Sequence, residues 1–84
     1  MDRSEIKKII NDFFVEELEI KKDLIADNAS LKNDLGIDSL DFVDIVVVVE
    51  QRFGFKIKAE EMADVKTLGQ FYDYIEQKLQ TKEA

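Results

Sequence analysis

The chain has 84 residues with 19 acids and 12 bases, a net charge of -7, and no histidine, cysteine or proline. That length makes one domain with a thin core, the missing cysteine rules out disulfide staples, and without histidine or cysteine there is no Ser-His-Asp triad, no Cys-His pair and no usual zinc site. The negative charge excludes nucleic acid as a partner, because such a surface repels phosphates.

A 37% share of charged residues without proline favours helices throughout. The opening residues MDRSEIKK turn polar and amphipathic at once, and no run of about 18 apolar residues follows, so the sequence reads as soluble and cytoplasmic, without stable membrane insertion. From about Ser4 to Leu18 the apolar residues Ile6, Ile9, Ile10, Phe13, Phe14 and Leu18 recur at three- and four-residue steps, the mark of one buried helical face. Asp12, Glu16 and Glu17 make the other face mixed to acidic, whereas a membrane-surface helix needs a basic one.

Residues 19 to 37 lack a period and contain the turn-forming Asp27, Asn28, Ala29 and Ser30, so they form a long loop with room for one helical turn. Loops this long are usually functional or pinned, and Leu24, Ile25, Leu31, Leu35 and Ile37 are the expected pins. A calcium loop does not fit, because Gly36 is preceded by Leu35 and lacks the required ligand spacing; no metal site is expected.

In the stretch DLGIDSLDFVDIVVVVEQRF, residues 34 to 53, Gly36 suits a tight turn and Asp38 stands as N-cap before a mostly apolar run. A helix from Ser39 to about Phe53 follows, stopped by Gly54. Its third position is Asp41, a second carboxylate near the orphan N–H groups, so capping has its side chains without Ser39. The Ser39 hydroxyl, pointing to water from the first helical position, suits a covalent attachment point. Four consecutive valines favour a strand locally, yet the Asp38 and Gly54 boundaries and the charged residues between them fit a helix, and burial overrides propensity. At about 100° per residue, Phe42, Ile45, Val46, Val49 and Phe53 share a core-facing arc; Leu40 and Val47 fall opposite among Asp44 and Gln51, with Val43 at the border.

GFKIK, residues 54 to 58, alternates like a strand without a partner and reads as a loop with Phe55 and Ile57 inward. Ala59 to about Asp64 forms a short third helix carrying Met62 towards the core. Thr67 and Gln70 make a capping box for a last helix that buries Leu68, Phe71, Tyr72, Ile75 and Leu79. The expectation is thus one all-α domain over residues 1–84: a monomeric four-helix bundle with three longer helices, a short third one and a long loop between helices one and two. Residues 81–84 should fray.

Charge is unevenly spread. Residues 23 to 50 carry seven acids (Asp23, Asp27, Asp34, Asp38, Asp41, Asp44, Glu50) against Lys32 alone, six of the seven net charges. Such a face would steer basic partners towards Ser39, although a charge run is more often a solvated surface.

D-S-L-D after L-G-I, opening an acidic helix in a small acidic chain, resembles the acyl carrier protein family. The F-G after this helix, the short A-E-E-M and the T-L-G-Q-F-Y-D-Y-I segment fall where that family has counterparts, so the resemblance covers nearly the whole chain. It implies that Ser39, flanked by Asp38 and Leu40, is esterified with 4′-phosphopantetheine from coenzyme A by a phosphopantetheinyl transferase. It also implies that the arm's thiol carries acyl chains as thioesters for fatty acid or related acyl-chain biosynthesis. The helix face of Asp38, Leu40, Asp41, Val43, Asp44, Val47 and Glu50 would dock onto basic patches of partner enzymes; Gln51 stands where many members carry an acid. By this reading the chain is a carrier and no enzyme. Two alternatives remain at the level of sequence: a small acidic helical adaptor that binds through Leu40, Val43 and Val47 without a prosthetic group, or an aminoacyl or peptidyl carrier, a class usually less acidic.

Overall fold

The computed structural model describes residues 2–83. Helix α1 spans Arg3–Glu16, α2 Ser39–Phe53, α3 Ala59–Met62 and α4 Leu68–Glu83, and a 3₁₀ turn at Lys22–Leu24 interrupts the connection from α1 to α2. Among the described residues there is no strand, and the valine run lies inside α2. Asp2 caps α1 by accepting the Glu5 N–H at 2.9 Å. The helix stops at Glu16, short of the expected Leu18, because the chain reverses at Glu19 (φ 56) and the Ile20 N–H returns to the Phe14 carbonyl at 3.0 Å. That reversal buries Ile20 and leaves Leu18 packed against the edge of the core.

The apolar stripes behave as their periodicity requires. Ile6, Ile10, Phe13 and Phe14 of α1 are buried with Ile45, Val49 and Phe53 of α2 and Leu68, Phe71, Tyr72 and Ile75 of α4. Phe14 and Phe71 lie with their rings nearly parallel, 3° apart, at 6.5 Å between centroids. Ile57 is buried and Phe55 half-buried, its ring edge-on to Tyr74 at 6.2 Å, so the GFKIK segment plugs the bundle's end. Helix α3 is a single turn carrying Met62 against the core, and it is held to α4 by a 2.7 Å ion pair between Glu61 and Lys78.

Backbone bonds to the start of α4 fix the long connection. The Leu68 and Gly69 N–H groups donate to the Ala29 and Asp27 carbonyls at 2.9 and 2.7 Å, and the Leu31 N–H donates to the Lys66 carbonyl at 3.0 Å. A Cβ on Gly69 would stand 2.9 Å from the Asp27 carbonyl oxygen, so only glycine permits this approach. Leu35 and Ala29 are buried, and Ile25, Leu31 and Ile37 pack against the core. Leu24 is not a pin: it is 45% exposed, because Ile20 and Ile25 fill the core from either end of the 3₁₀ turn and leave it no room. Thr67 and Gln70 form the expected capping box, with N–H to oxygen distances of 3.1 and 3.2 Å.

On the far side of the bundle α1 meets α4. Arg3 pairs with Asp73 and, at 3.2 Å, with Glu76, and its guanidinium lies 5.6 Å from the centre of the Tyr72 ring. The Tyr72 hydroxyl donates to the Asn11 side chain, and burial pushes the phenol up to about 12. Helix α4 continues to Glu83, while the expectation for the tail runs to Ala84, outside the described residues.

Candidate functional site

The start of α2 is fixed from both directions along the chain. Before it, the Ile37 N–H donates to the Leu31 carbonyl at 2.9 Å, and Gly36 sits at φ 69, the left-handed turn that sends the chain into the helix. At it, Asp38 adopts the extended cap conformation and accepts the Asp41 N–H at 2.9 Å, while the Asp41 carboxylate reaches back to the Asp38 N–H at 3.4 Å. Both sides of the capping box are aspartates, so Ser39 is the first helical residue and no part of the cap. The expectation about where its hydroxyl points falls on a side chain outside the described residues. Helix geometry leaves the Ser39 and Leu40 N–H groups without intrahelical acceptors at the positive end of the dipole, a setting that favours an anion.

From this end the outer face of α2 runs on as an apolar stripe. Leu40 is 77% exposed, Val43 58% and Val47 46%. Asp44 and Gln51 flank the stripe on one side and Glu50 on the other, all exposed, and Asp38 is exposed at its head. Over the 12 residue steps from Asp38 to Glu50 the patch spans about 18 Å of helix. Asp41 is half-buried and turned into the cap, so its carboxylate serves the helix end rather than the open rim.

The inner face of the same helix borders an apolar cavity of about 500 Å³. Phe42 and Ile45 line it from α2, Phe14 from α1, Phe71 from α4 and Met62 from α3, and Lys32 and Asp38 are the charged residues on its lining. A second hollow of about 560 Å³ lies between α1 and α2, floored by Ile9, Phe13 and Val47 and walled by Asp12, Glu16 and Asp44. Sequence reading marked neither. Their residues belong to different elements, and only the position of Lys32 as the one base in an acidic run hinted at anything particular.

The helix start, the outer stripe and the inner cavity are what a covalent carrier needs, and comparison with known proteins agrees. Residues 8–75 match the family described as the phosphopantetheine attachment site. The acyl carrier protein of Porphyromonas gingivalis is 37% identical over 76 residues, covering 90% of this chain and 97% of that protein. The chain belongs to the acyl carrier protein family. Other members reach similar figures: that of Coprothermobacter proteolyticus is 35% identical over 82 residues, covering 98% of this chain and all of its own, and that of Thermotoga maritima is 36% identical over 77 residues, covering 92% and 95%.

Acyl carrier proteins are carriers rather than catalysts, and membership brings a covalently attached 4′-phosphopantetheine arm, acyl chains as cargo and biosynthetic enzymes as partners. The residues present fit such an arm. Orphan N–H donors and the helix dipole at the start of α2 suit an anion such as its phosphodiester, and the cavity beside Asp38 is lined mainly by apolar side chains. The Asp38 and Asp41 carboxylates act against the phosphodiester charge. No helix among the described residues is long and apolar enough to cross a membrane.

Proposed function

We propose that Ser39 is the attachment point of the arm, and that residues 1–84 act as one carrier domain, not an enzyme, serving fatty acid or related acyl-chain synthesis in the cytoplasm. The observation that carries this reading is the all-aspartate capping box. It makes Ser39 the first residue of α2 within D-S-L-D and assigns both capping side chains elsewhere. Ser30, by contrast, has its hydroxyl engaged by the Asn33 N–H at 3.1 Å, inside a loop turn.

The arm supplies a thiol that holds acyl groups as thioesters; the chain supplies everything else. Leu40, Val43 and Val47 give a partner enzyme an apolar strip to cover, and Asp38, Asp44 and Glu50 draw its basic patch onto that strip. A serine without a neighbouring base is inert, so loading falls to a phosphopantetheinyl transferase that recognises the same helix. Phe42, Ile45, Met62 and Phe71 offer shelter to an acyl chain, each buried CH₂ contributing roughly 0.8 kcal/mol.

The test is loading. Wild type and Ser39→Ala are incubated with coenzyme A, magnesium and a promiscuous phosphopantetheinyl transferase, and their intact masses are compared. Wild type gains one phosphopantetheinyl group and Ser39→Ala none; a loaded Ser39→Ala, or a wild type that never loads, refutes the assignment.

A further inference from the structure

Lys32 is the one base among the seven acids of residues 23 to 50, and the fold gives it a defined place. The Leu31 N–H is tied to the Lys66 carbonyl and the Leu31 carbonyl to the Ile37 N–H, at 3.0 and 2.9 Å. These two bonds double the loop back and hold residue 32 close to the start of α2. Lys32 and Asp38 share the lining of the 500 Å³ cavity. Arg3, Lys7 and Lys78 are engaged in ion pairs, whereas Lys32 is exposed and, among the described residues, has no carboxylate within pairing distance. An unpaired ammonium on a flexible four-carbon stem thus stands at the rim of an apolar cavity, in the most acidic part of the chain.

On the reading that Ser39 bears the arm, the phosphodiester is one bond from the serine oxygen, at the residue next to Asp38. Its charge meets two carboxylates, Asp38 and Asp41, and one cation, Lys32. We infer that Lys32 is the counter-ion of this phosphodiester, a positioning residue that offsets the two aspartates and biases the arm towards the cavity mouth rather than into open solvent. The ligand class is a phosphodiester monoanion. Arginine can replace the lysine because the contact is between charges; glutamine cannot.

The experiment first loads wild-type protein and maps the added group to Ser39 by peptide mass spectrometry, which examines the attachment separately. Apo and loaded proteins then receive a limiting dose of an amine-acylating reagent. Modification of Lys32 is compared with that of Lys8 on α1 and Lys56 in the loop after α2, both exposed. Loading slows Lys32 about two- to fourfold, the size a solvent-exposed ion pair gives, and leaves the reference lysines unchanged. In the loaded variants, Lys32→Gln moves the ³¹P resonance of the arm and Lys32→Arg restores it. Equal Lys32 rates in apo and loaded protein, or a phosphorus resonance indifferent to Lys32→Gln, overturn the inference and leave the attachment standing. A wild type that never gains the group overturns both.

Discussion

Replacing Asp38 separates the two tasks that meet at the start of α2. Asp38→Ala removes the acceptor of the 2.9 Å bond from the Asp41 N–H, and the loss of such a cap costs about 1 kcal/mol. The reciprocal bond, at 3.4 Å, is long for N–H to oxygen, and Asp38 is exposed, so its N–H turns to water at little cost once Asp41 is removed. The expected order of destabilisation is therefore Asp38→Ala first, Asp38→Asn next and Asp41→Ala last. Asn keeps an acceptor and forfeits only the attraction of a charge for the helix dipole, at most about 1 kcal/mol. In a domain of this size 1 kcal/mol lowers Tm by roughly 4–8 °C, well within reach of thermal unfolding followed by far-ultraviolet circular dichroism. Loading supplies the second reading: with the arm on Ser39, as proposed, the aspartate repels the phosphodiester, so Asp38→Asn loses less stability, relative to wild type, in the loaded than in the apo protein. An Asp38→Ala variant that melts with wild type, or an Asp41→Ala variant that melts below Asp38→Ala, would show that the box does not define the helix start.

Other perturbations probe separate parts of the fold. Gly69→Ala should lower Tm despite the better helix propensity of alanine, worth about 1 kcal/mol, because its Cβ would meet the Asp27 carbonyl at 2.9 Å and break the tie to the loop; an unchanged or raised Tm refutes that close approach. Asp44→Lys and Glu50→Lys should slow association with a partner enzyme, most at low salt, when followed by stopped-flow binding; rates indifferent to both charge and salt place docking elsewhere. The Tyr72 phenol is raised to about 12 mainly by burial, so the unfolded chain ionises first, near 10. The stability it lends is full below about pH 10 and lost between about 10 and 12, and urea titrations should show Tyr72→Phe losing less stability than wild type across that window.

What was legible in the sequence was what local chemistry decides. Both limits of α2 followed from Asp38 and Gly54, since a cap and a left-handed stop each need only a few consecutive residues. The buried arcs of α1 and α4 followed from periodicity, and burial overrode the strand preference of four valines, as their helical setting required. Illegible features depend on residues far apart in the chain. Gly69 looked like an ordinary helix residue until the Asp27 carbonyl was seen against it, and the network of Arg3, Tyr72 and Asn11 joins the two ends of the sequence. Leu24 was misjudged because hydrophobicity cannot tell which residue of a short turn finds the core already filled.

Helix α2 has opposite obligations on its two faces, and the capping box reconciles them. Leu40, Val43 and Val47 leave apolar surface in water, an arrangement that is stable only because Ile45, Val49 and Phe53 anchor the other face. Phe42, on the inner side, packs only partly and borders the cavity, so the first turn and a half is the least anchored part of the helix. Widening the cavity for an acyl chain would move this same segment, and a helix start held by side-chain caps rather than by core contacts can shift as a unit without fraying. On the docking face and cargo cavity proposed above, an enzyme that covers the outer stripe would press on the wall of the inner cavity and so couple docking to cargo release through α2. Phe42→Ala, on the cavity wall and off the outer stripe, should then leave partner affinity unchanged but alter the acceleration of thioester hydrolysis that the bound partner produces; an acceleration equal to that of wild type would disprove the coupling.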